Sequence, residues 1–232
     1  MLHYIPEFLG AMVMILLLDG AVANCTLNKS GMKGAGSLQI SLSIGLSLLV
    51  PCCIFGTDSG TYYNSALTLA LFIDGTLPFD QALNCIIAQF AGAFVGAVLV
   101  YICFKDQFDA TEDPGTKLGV FCTGPSIPNA PRNFFCEAVA AFIFVLTVKG
   151  IGSTAQPDTH KFLVPAVYAA LTLCMGGLTG CAMNPARDFA PRFAHAFLPI
   201  KGKGSSIWGY ALVPVLGPVI GAVLAVLLWG II

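Results

Sequence analysis

Gly180-Cys181-Ala182-Met183-Asn184-Pro185-Ala186-Arg187-Asp188 lies between two apolar runs, yet it carries a proline, an arginine and an acid. Charged residues are rare in hydrocarbon and mark function when they occur there. A second stretch about 120 positions earlier, Gly60-Thr61-Tyr62-Tyr63-Asn64-Ser65-Ala66, repeats the glycine, asparagine and alanine in the same frame. The pair reads as the openings of two short helices that enter a membrane from opposite faces and meet head to head.

Composition supports a membrane setting. Of 232 residues, 56% are hydrophobic and 10% charged, and the mean hydropathy is +0.83. Soluble domains carry about 25% charged residues. A crossing helix needs about 20 apolar residues, so roughly six crossings and their loops use up the chain. No length remains for a soluble domain, and the lipid bilayer is the expected surrounding. A formal net charge of -1 without a basic run excludes nucleic acid as a partner. The nine cysteines form no C-x-x-C pair, and Cys52 and Cys53 are adjacent. They read as small buried side chains, so no disulfide framework, metal or cofactor is expected. His3, His160 and His195 share no motif with a nucleophile or carboxylate, which argues against an enzyme. Ala21-Val22-Ala23 resembles a signal-cleavage site, but no Lys or Arg precedes it and Glu7 stands near the start. It is read as part of a retained first helix.

Hydrophobic runs predict crossing helices over 5–23, 38–55, 82–104, 133–152, 162–175 and 207–232. Half-length helices are expected over 66–73 and from Pro185 to about His195. Residues 24–37, 105–132, 153–161 and 199–206 read as loops or connectors, and Gly176 and Gly177 as the end of the fifth helix. Asn24 and Asn28 head formal glycosylation tripeptides, common enough by chance to be set aside. Gly92 and Gly96, one turn apart, offer a small-residue face for close helix packing.

The chain reads as one transmembrane domain of two halves, about 1–110 and 131–232. Glu7 opens the first helix of one half and Glu137 that of the other. Ala91-Gly92-Ala93-Phe94-Val95-Gly96-Ala97-Val98-Leu99 resembles Leu216-Gly217-Pro218-Val219-Ile220-Gly221-Ala222-Val223-Leu224. Each half holds three crossings, and a repeat with an odd number of crossings sits inverted relative to its twin.

A helix that begins at mid-membrane has amide N–H groups without partners, tolerable only beside protein or a water-filled space. Each such end carries about half a positive elementary charge. Two of them face to face repel cations. Asn64 and Asn184 can cap their own helices through the side-chain oxygen, leaving the amide NH2 as a donor to a passing solute. Pro185 suits a first helical position, having no N–H to lose, and Ser65 takes the matching place. The residues before each asparagine are expected to be extended. The carbonyls of Gly60, Thr61, Tyr62 and Tyr63 and of Gly180, Cys181, Ala182 and Met183 would then line a path. Arg187 would add donors and a second barrier to cations, the alternative being a purely structural pair with Asp188. Carbonyl acceptors opposite amide donors can replace water around a hydroxylated solute but not around a bare ion, and no coupling site is required.

Asn-Pro-Ala-Arg after a glycine-containing stretch, with a degenerate copy in the other half, resembles the major intrinsic protein (aquaporin) family. Asp188-Phe189-Ala190-Pro191-Arg192 and Gly177-Leu178-Thr179-Gly180 resemble its glycerol-facilitator branch. The match covers nearly the whole chain. The resemblance implies an all-α membrane fold of six helices and two re-entrant half-helices, and a homotetramer with one pore per subunit. It also implies passive passage of small neutral solutes in the plasma membrane. Glu7, Glu137 and Asp188 become structural, the two glutamates holding the loops before the half-helices. By matching, the outer selectivity filter comprises Ile44, Thr172, Cys181 and Arg187. Glycerol facilitators usually place aromatics where Ile44 and Cys181 stand, and water-selective members a histidine where Thr172 stands. The substitutions predict a wider constriction, passing glycerol, other polyols, dihydroxyacetone, urea and protonated lactic acid. Ser65 replaces the proline of the usual first motif. The resemblance implies a cytoplasmic N-terminus and is followed here. The positive-inside rule gives the reverse, since Lys29, Lys33, Lys105, Lys117, Arg132, Lys201 and Lys203 share one side against Lys149 and Lys161 on the other. The rival readings are an ion-coupled transporter, for which Asp188 is the available acid, and a non-conducting structural protein of the same fold.

Overall fold

The structure, a computed structural model, describes residues 4–56, 62–154 and 156–232. Every regular element among them is helical: α1 Tyr4–Thr26, α2 Ser37–Phe55, α3 Ser65–Ile73, α4 Phe79–Cys103, α5 Lys105–Ala110, α6 Pro114–Phe121, α7 Ala130–Thr154, α8 Pro157–Thr179, α9 Pro185–Phe197 and α10 Leu212–Trp229. A 3-10 turn at Trp208–Tyr210 leads into α10. Six stretches, on α1, α2, α4, α7, α8 and α10, are long and apolar enough to cross a membrane.

α3 and α9 are not. Their 9 and 13 residues span about 14 Å and about 20 Å at 1.5 Å per residue, against a hydrocarbon core of about 30 Å. Joined tip to tip, the two together make roughly one crossing. Both begin in the interior of the bundle, Asn64 and Asn184 being 3% and 1% exposed.

Glycines set how closely the long helices approach. A Cβ added to Gly92 of α4 would stand 2.1 Å from the Phe8 carbonyl of α1, and one on Gly96 2.5 Å from the Met12 carbonyl. In the other half a Cβ on Gly221 of α10 would stand 2.0 Å from the Ala138 carbonyl of α7. Such contacts leave no room for any side chain. α2 meets α8 in the same manner, Gly45 lying against Ala169 and the Pro165 carbonyl.

Three segments depart from the sequence reading. The expected loop 105–132 contains α5 and α6. Asp113 caps α6 by accepting from the Thr116 amide at 2.7 Å, and Pro114 fills its first turn. Hydrogen bonds from the Thr116 hydroxyl, then from its amide, hold the Asp113 carboxyl below its ordinary value. Phe108 and Phe121 stack at 5.4 Å, both fully buried, and fix these short helices over one end of the bundle. Charge, glycine and proline are normal at such a surface, so periodicity alone misses it. α8 starts at Pro157, not 162, because its polar first turn lies before the apolar run. It also continues through Gly176 and Gly177 to Thr179, ending where Gly180 turns left-handed at φ 85° and donates to the Gly176 carbonyl. Asn28 donates through Nδ2 to the Ala110 carbonyl at 3.0 Å, clasping 27–36 to the end of α5.

Gly221→Ala is expected to lower stability by about 2 kcal/mol, the usual range for overpacking. The check is the thermal unfolding midpoint of detergent-purified protein, and an unchanged midpoint would mean that the α7–α10 seam is looser than described.

Candidate functional site

The site is the place where α3 and α9 meet. The Asn64 side chain accepts from the amides of Ala66 at 3.0 Å and Leu67 at 3.2 Å, closing the first turn of α3. Asn184 accepts from the Ala186 amide at 3.1 Å, closing that of α9. The two amide groups then cross between the halves. Asn64 Nδ2 donates to the Met183 carbonyl at 2.9 Å, and Asn184 Nδ2 donates to the Tyr63 carbonyl at 2.8 Å. A side-chain amide has two N–H groups, so each asparagine keeps one beyond this clasp.

Ser65 adds two bonds, neither of which a proline could supply. Its amide donates to Asn184 Oδ1 at 3.3 Å, and its hydroxyl accepts from the Ala186 amide at 3.1 Å. Pro185 begins α9 without an N–H. The amides of Ser65, Ala66, Leu67 and Ala186 thus find partners inside the bundle, those of Ser65 and Ala186 across the junction and those of Ala66 and Leu67 on their own asparagine.

Behind each tip stands a buried glutamate. Glu7 of α1 accepts from the amides of Tyr62 at 3.0 Å and Tyr63 at 2.9 Å. Glu137 of α7 accepts from Ala182 at 3.0 Å, Met183 at 3.1 Å and the Thr179 hydroxyl at 2.6 Å. Both glutamates are fully buried. The two amides held are those one and two positions before each asparagine, so the halves use the same device.

This device corrects the expected extended loops. Successive N–H groups of a β-strand point to opposite sides, and one carboxylate cannot then collect two of them. The backbone instead turns left-handed at Tyr63 (φ 43°), Cys181 (φ 51°) and Met183 (φ 51°). Consecutive amides converge on the carboxylate in the manner of an anion nest. The ring of Tyr63 fills the space a Cβ on Gly10 would occupy, 2.0 Å away. Of the carbonyls expected along the path, those of Tyr63 and Met183 accept from the asparagines. That of Ala182 accepts from the Tyr168 hydroxyl at 3.0 Å. The carbonyls of Tyr62, Gly180 and Cys181 accept from no described residue. Gly60 and Thr61 lie outside the described residues.

At the α9 side, Ile44, Thr172, Cys181 and Arg187 are all buried. Cys181 Sγ lies 3.8 Å from the Leu171 carbonyl, next to Thr172. Gly45, beside Ile44, touches Ala169, one turn below Thr172. Cys181 thus packs on α8 at the residue before Thr172, and α2 meets α8 at the residue after Ile44. Arg187 Nη1 donates to the Phe121 carbonyl at 3.4 Å.

Arg187 does not pair with Asp188, contrary to the structural alternative. Asp188 is held by Arg192, at 2.9 Å and 3.0 Å, and by the amide and hydroxyl of Thr123 at 2.7 Å and 2.6 Å. It is therefore consumed structurally and is not free to coordinate a coupling ion. Arg192, 1% exposed, also donates to the carbonyls of Ser206, Ile207 and Thr123. This ties α9 to both segments that cover it. On the other side of the junction, a cavity of about 500 Å³ opens against Tyr62, Leu67 and Leu71, with Val148 and Val164 opposite.

Sequence reasoning missed several participants. Gln89 of α4 donates to Glu7 at 2.7 Å and to Thr68 at 2.8 Å, and Thr68 donates to the Asn64 carbonyl at 2.9 Å. Thr68 and Asp188 both stand four residues after their asparagine, a signal the repeat did offer. His195 Nδ1 lies 2.8 Å from Ser206 Oγ.

Six spanning helices enclosing two half-helices, joined at mid-depth by polar side chains, define a multi-pass membrane protein with a built polar junction. Comparison with known proteins agrees with that class and narrows it. The chain belongs to the major intrinsic protein family, whose model matches residues 1–229. It is 40% identical over 226 residues to a glycerol uptake facilitator protein of Streptococcus pneumoniae serotype 4, covering 97% of each chain. It is 35% identical over 225 residues to a D/L-lactic acid transporter of Lactiplantibacillus plantarum, covering 95% of this chain and 93% of that one. The aquaglyceroporin from Plasmodium falciparum, known from its X-ray structure, superposes with a TM-score of 0.85 at 25% identity. That superposition covers 98% of this chain and 94% of that one.

Glu137→Gln retains one acceptor oxygen and turns an NH2 group toward the loop amides. A hydrogen bond to a charged group contributes about 2 kcal/mol, so a fall of about that size in unfolding stability is expected, with solute flux reduced in parallel. Wild-type stability and flux in the variant would contradict the role given to Glu137.

Proposed function

We propose that this protein is a passive channel for glycerol and similar small neutral solutes, its path running past the junction of α3 and α9. The observation that carries the reading is the reciprocal asparagine clasp. It satisfies both helix tips and leaves one N–H of Asn64 and one of Asn184 for a solute hydroxyl. The facing helix ends, each worth about half a positive charge, oppose cations at the same point. Asn64, Ser65 and Ala66 with Asn184, Pro185 and Ala186 form the central motifs. Ile44, Thr172, Cys181 and Arg187 form the outer filter, and the carbonyls of Tyr62, Gly180 and Cys181, which accept from no described residue, are the acceptors along it.

A filter without aromatic residues admits solutes up to the size of glycerol and beyond: other polyols, dihydroxyacetone, urea and neutral lactic acid. The relatives' names, glycerol uptake facilitator and lactic acid transporter, agree with that range. Exposed apolar stripes such as Leu38, Leu42, Leu46 and Ile54 on α2 suit contact with lipid or a neighbouring subunit. A homotetramer in the plasma membrane with a cytoplasmic N-terminus completes the reading, on the strength of the family.

Purified protein in proteoliposomes should accelerate swelling with glycerol, urea and dihydroxyacetone, independently of proton or sodium gradients. Passage of water with exclusion of glycerol would overturn the assignment. Mercurial reagents should slow glycerol flux, and Cys181→Ser should remove most of that sensitivity. Unchanged sensitivity in the variant would assign the reactive thiol to an exposed cysteine such as Cys53, Cys103 or Cys174.

A further inference from the structure

Asp19 is a fully buried acid in the middle of α1, and neither carboxylate oxygen has a hydrogen-bond partner. Its Oδ1 lies 3.8 Å from Arg187 Nη1. Four charged groups cluster at this end of the junction: Arg187, Asp188 and Arg192 on α9, and Asp19 on α1. Asp188 and Arg192 close on each other at 2.9 Å. Among the described residues, that leaves Asp19 as the one carboxylate within ion-pair distance of Arg187. With Asp19 ionised, the two pairs sum to zero. A buried ion unpaired by its partner remains a strong local field, since little solvent is present to screen it. Cys122, Cys181 and Tyr168, which also lie within electrostatic reach of Arg187, carry no charge as thiols and phenol.

We propose that Asp19 is the counter-ion that sets the charge of the outer filter, holding Arg187 against the α1 wall. With Asp19 in place, the filter presents guanidinium donors to hydroxyl and carbonyl oxygens but no net positive charge. Small carboxylate anions are then neither drawn in nor retained. Asp19 is a positioning and specificity residue, since it acts through Arg187 and does not itself reach the path. The inference rests on the channel reading above and on Arg187 belonging to the filter.

The test compares glycerol flux in proteoliposomes at neutral pH with and without added formate or lactate. Wild-type protein should be insensitive. In Asp19→Asn the uncompensated Arg187 should hold the anion, so that carboxylate inhibits glycerol flux at a concentration lower by about tenfold or more. Asp19→Glu, which keeps the charge, should resemble wild type. A merely structural Asp19 would alter yield or overall flux without creating anion inhibition. Folded Asp19→Asn protein with wild-type indifference to carboxylate overturns the proposal. If Asp19→Asn gives no folded protein, the doubly neutral D19N/R187Q should recover folded yield, and failure of that recovery overturns it equally. Absence of glycerol flux in wild-type protein would instead defeat the channel reading itself.

Discussion

Two helix N-termini end inside the bundle, where lipid offers no hydrogen bonds and each unsatisfied amide costs several kcal/mol. That constraint organises the molecule. Each asparagine oxygen caps its own helix, that of Asn184 also taking the Ser65 amide, and each asparagine nitrogen reaches the backbone of the other half, between residues 119 and 121 positions apart. The loops entering the junction must then carry carbonyls inward and amides outward. Glu7 and Glu137 collect the amides, and the left-handed residues Tyr63, Cys181 and Met183 supply the turns this needs. The long helices hold the assembly at a fixed spacing through glycine seams, so the junction is supported on all sides by close backbone contact.

The two half-helices are alike in their caps and different in their charge. α3 is apolar after Asn64, with Thr68 and Gln89 linking it to Glu7. α9 carries Arg187, Asp188, Arg192 and His195, all buried. Burying a charge is tolerable when it is paired and hydrogen-bonded, and the Asp188–Arg192–Thr123 network meets both conditions. The cluster also explains why the 114–123 segment folds onto α9: Thr123 gives its amide and hydroxyl to Asp188 and its carbonyl to Arg192. Arg187 is left outside that closed network, with Asp19 at 3.8 Å and the Phe121 carbonyl at 3.4 Å as its partners among the described residues.

The parts of this arrangement that recur were legible in the sequence. Asn64 and Asn184, Glu7 and Glu137, and the glycines of α4 and α10 are each found because a twin stands in the other half. The six spans follow from hydropathy, and the half-helices from their shortness. What was not legible was mostly single. Gln89 looks like one polar residue in an apolar helix, and its partners, Glu7 and Thr68, lie 82 and 21 positions away. Asp19 has no acidic twin, and its partner lies at the far end of the chain. Adjacency suggested Asp188 as the partner of Arg187, whereas helical geometry gives Asp188 to Arg192, one turn on. α5 and α6 escaped notice because surface helices need no long apolar run.

In a conducting channel, one N–H of Asn64 and one of Asn184 would converge on a solute at the junction. An experimental structure of the protein equilibrated with glycerol tests it most directly. A glycerol hydroxyl oxygen is expected within about 3 Å of both Nδ2 atoms, with the asparagine clasp intact. Glycerol bound elsewhere, or passing the junction with only its carbons toward Asn64 and Asn184, would contradict it.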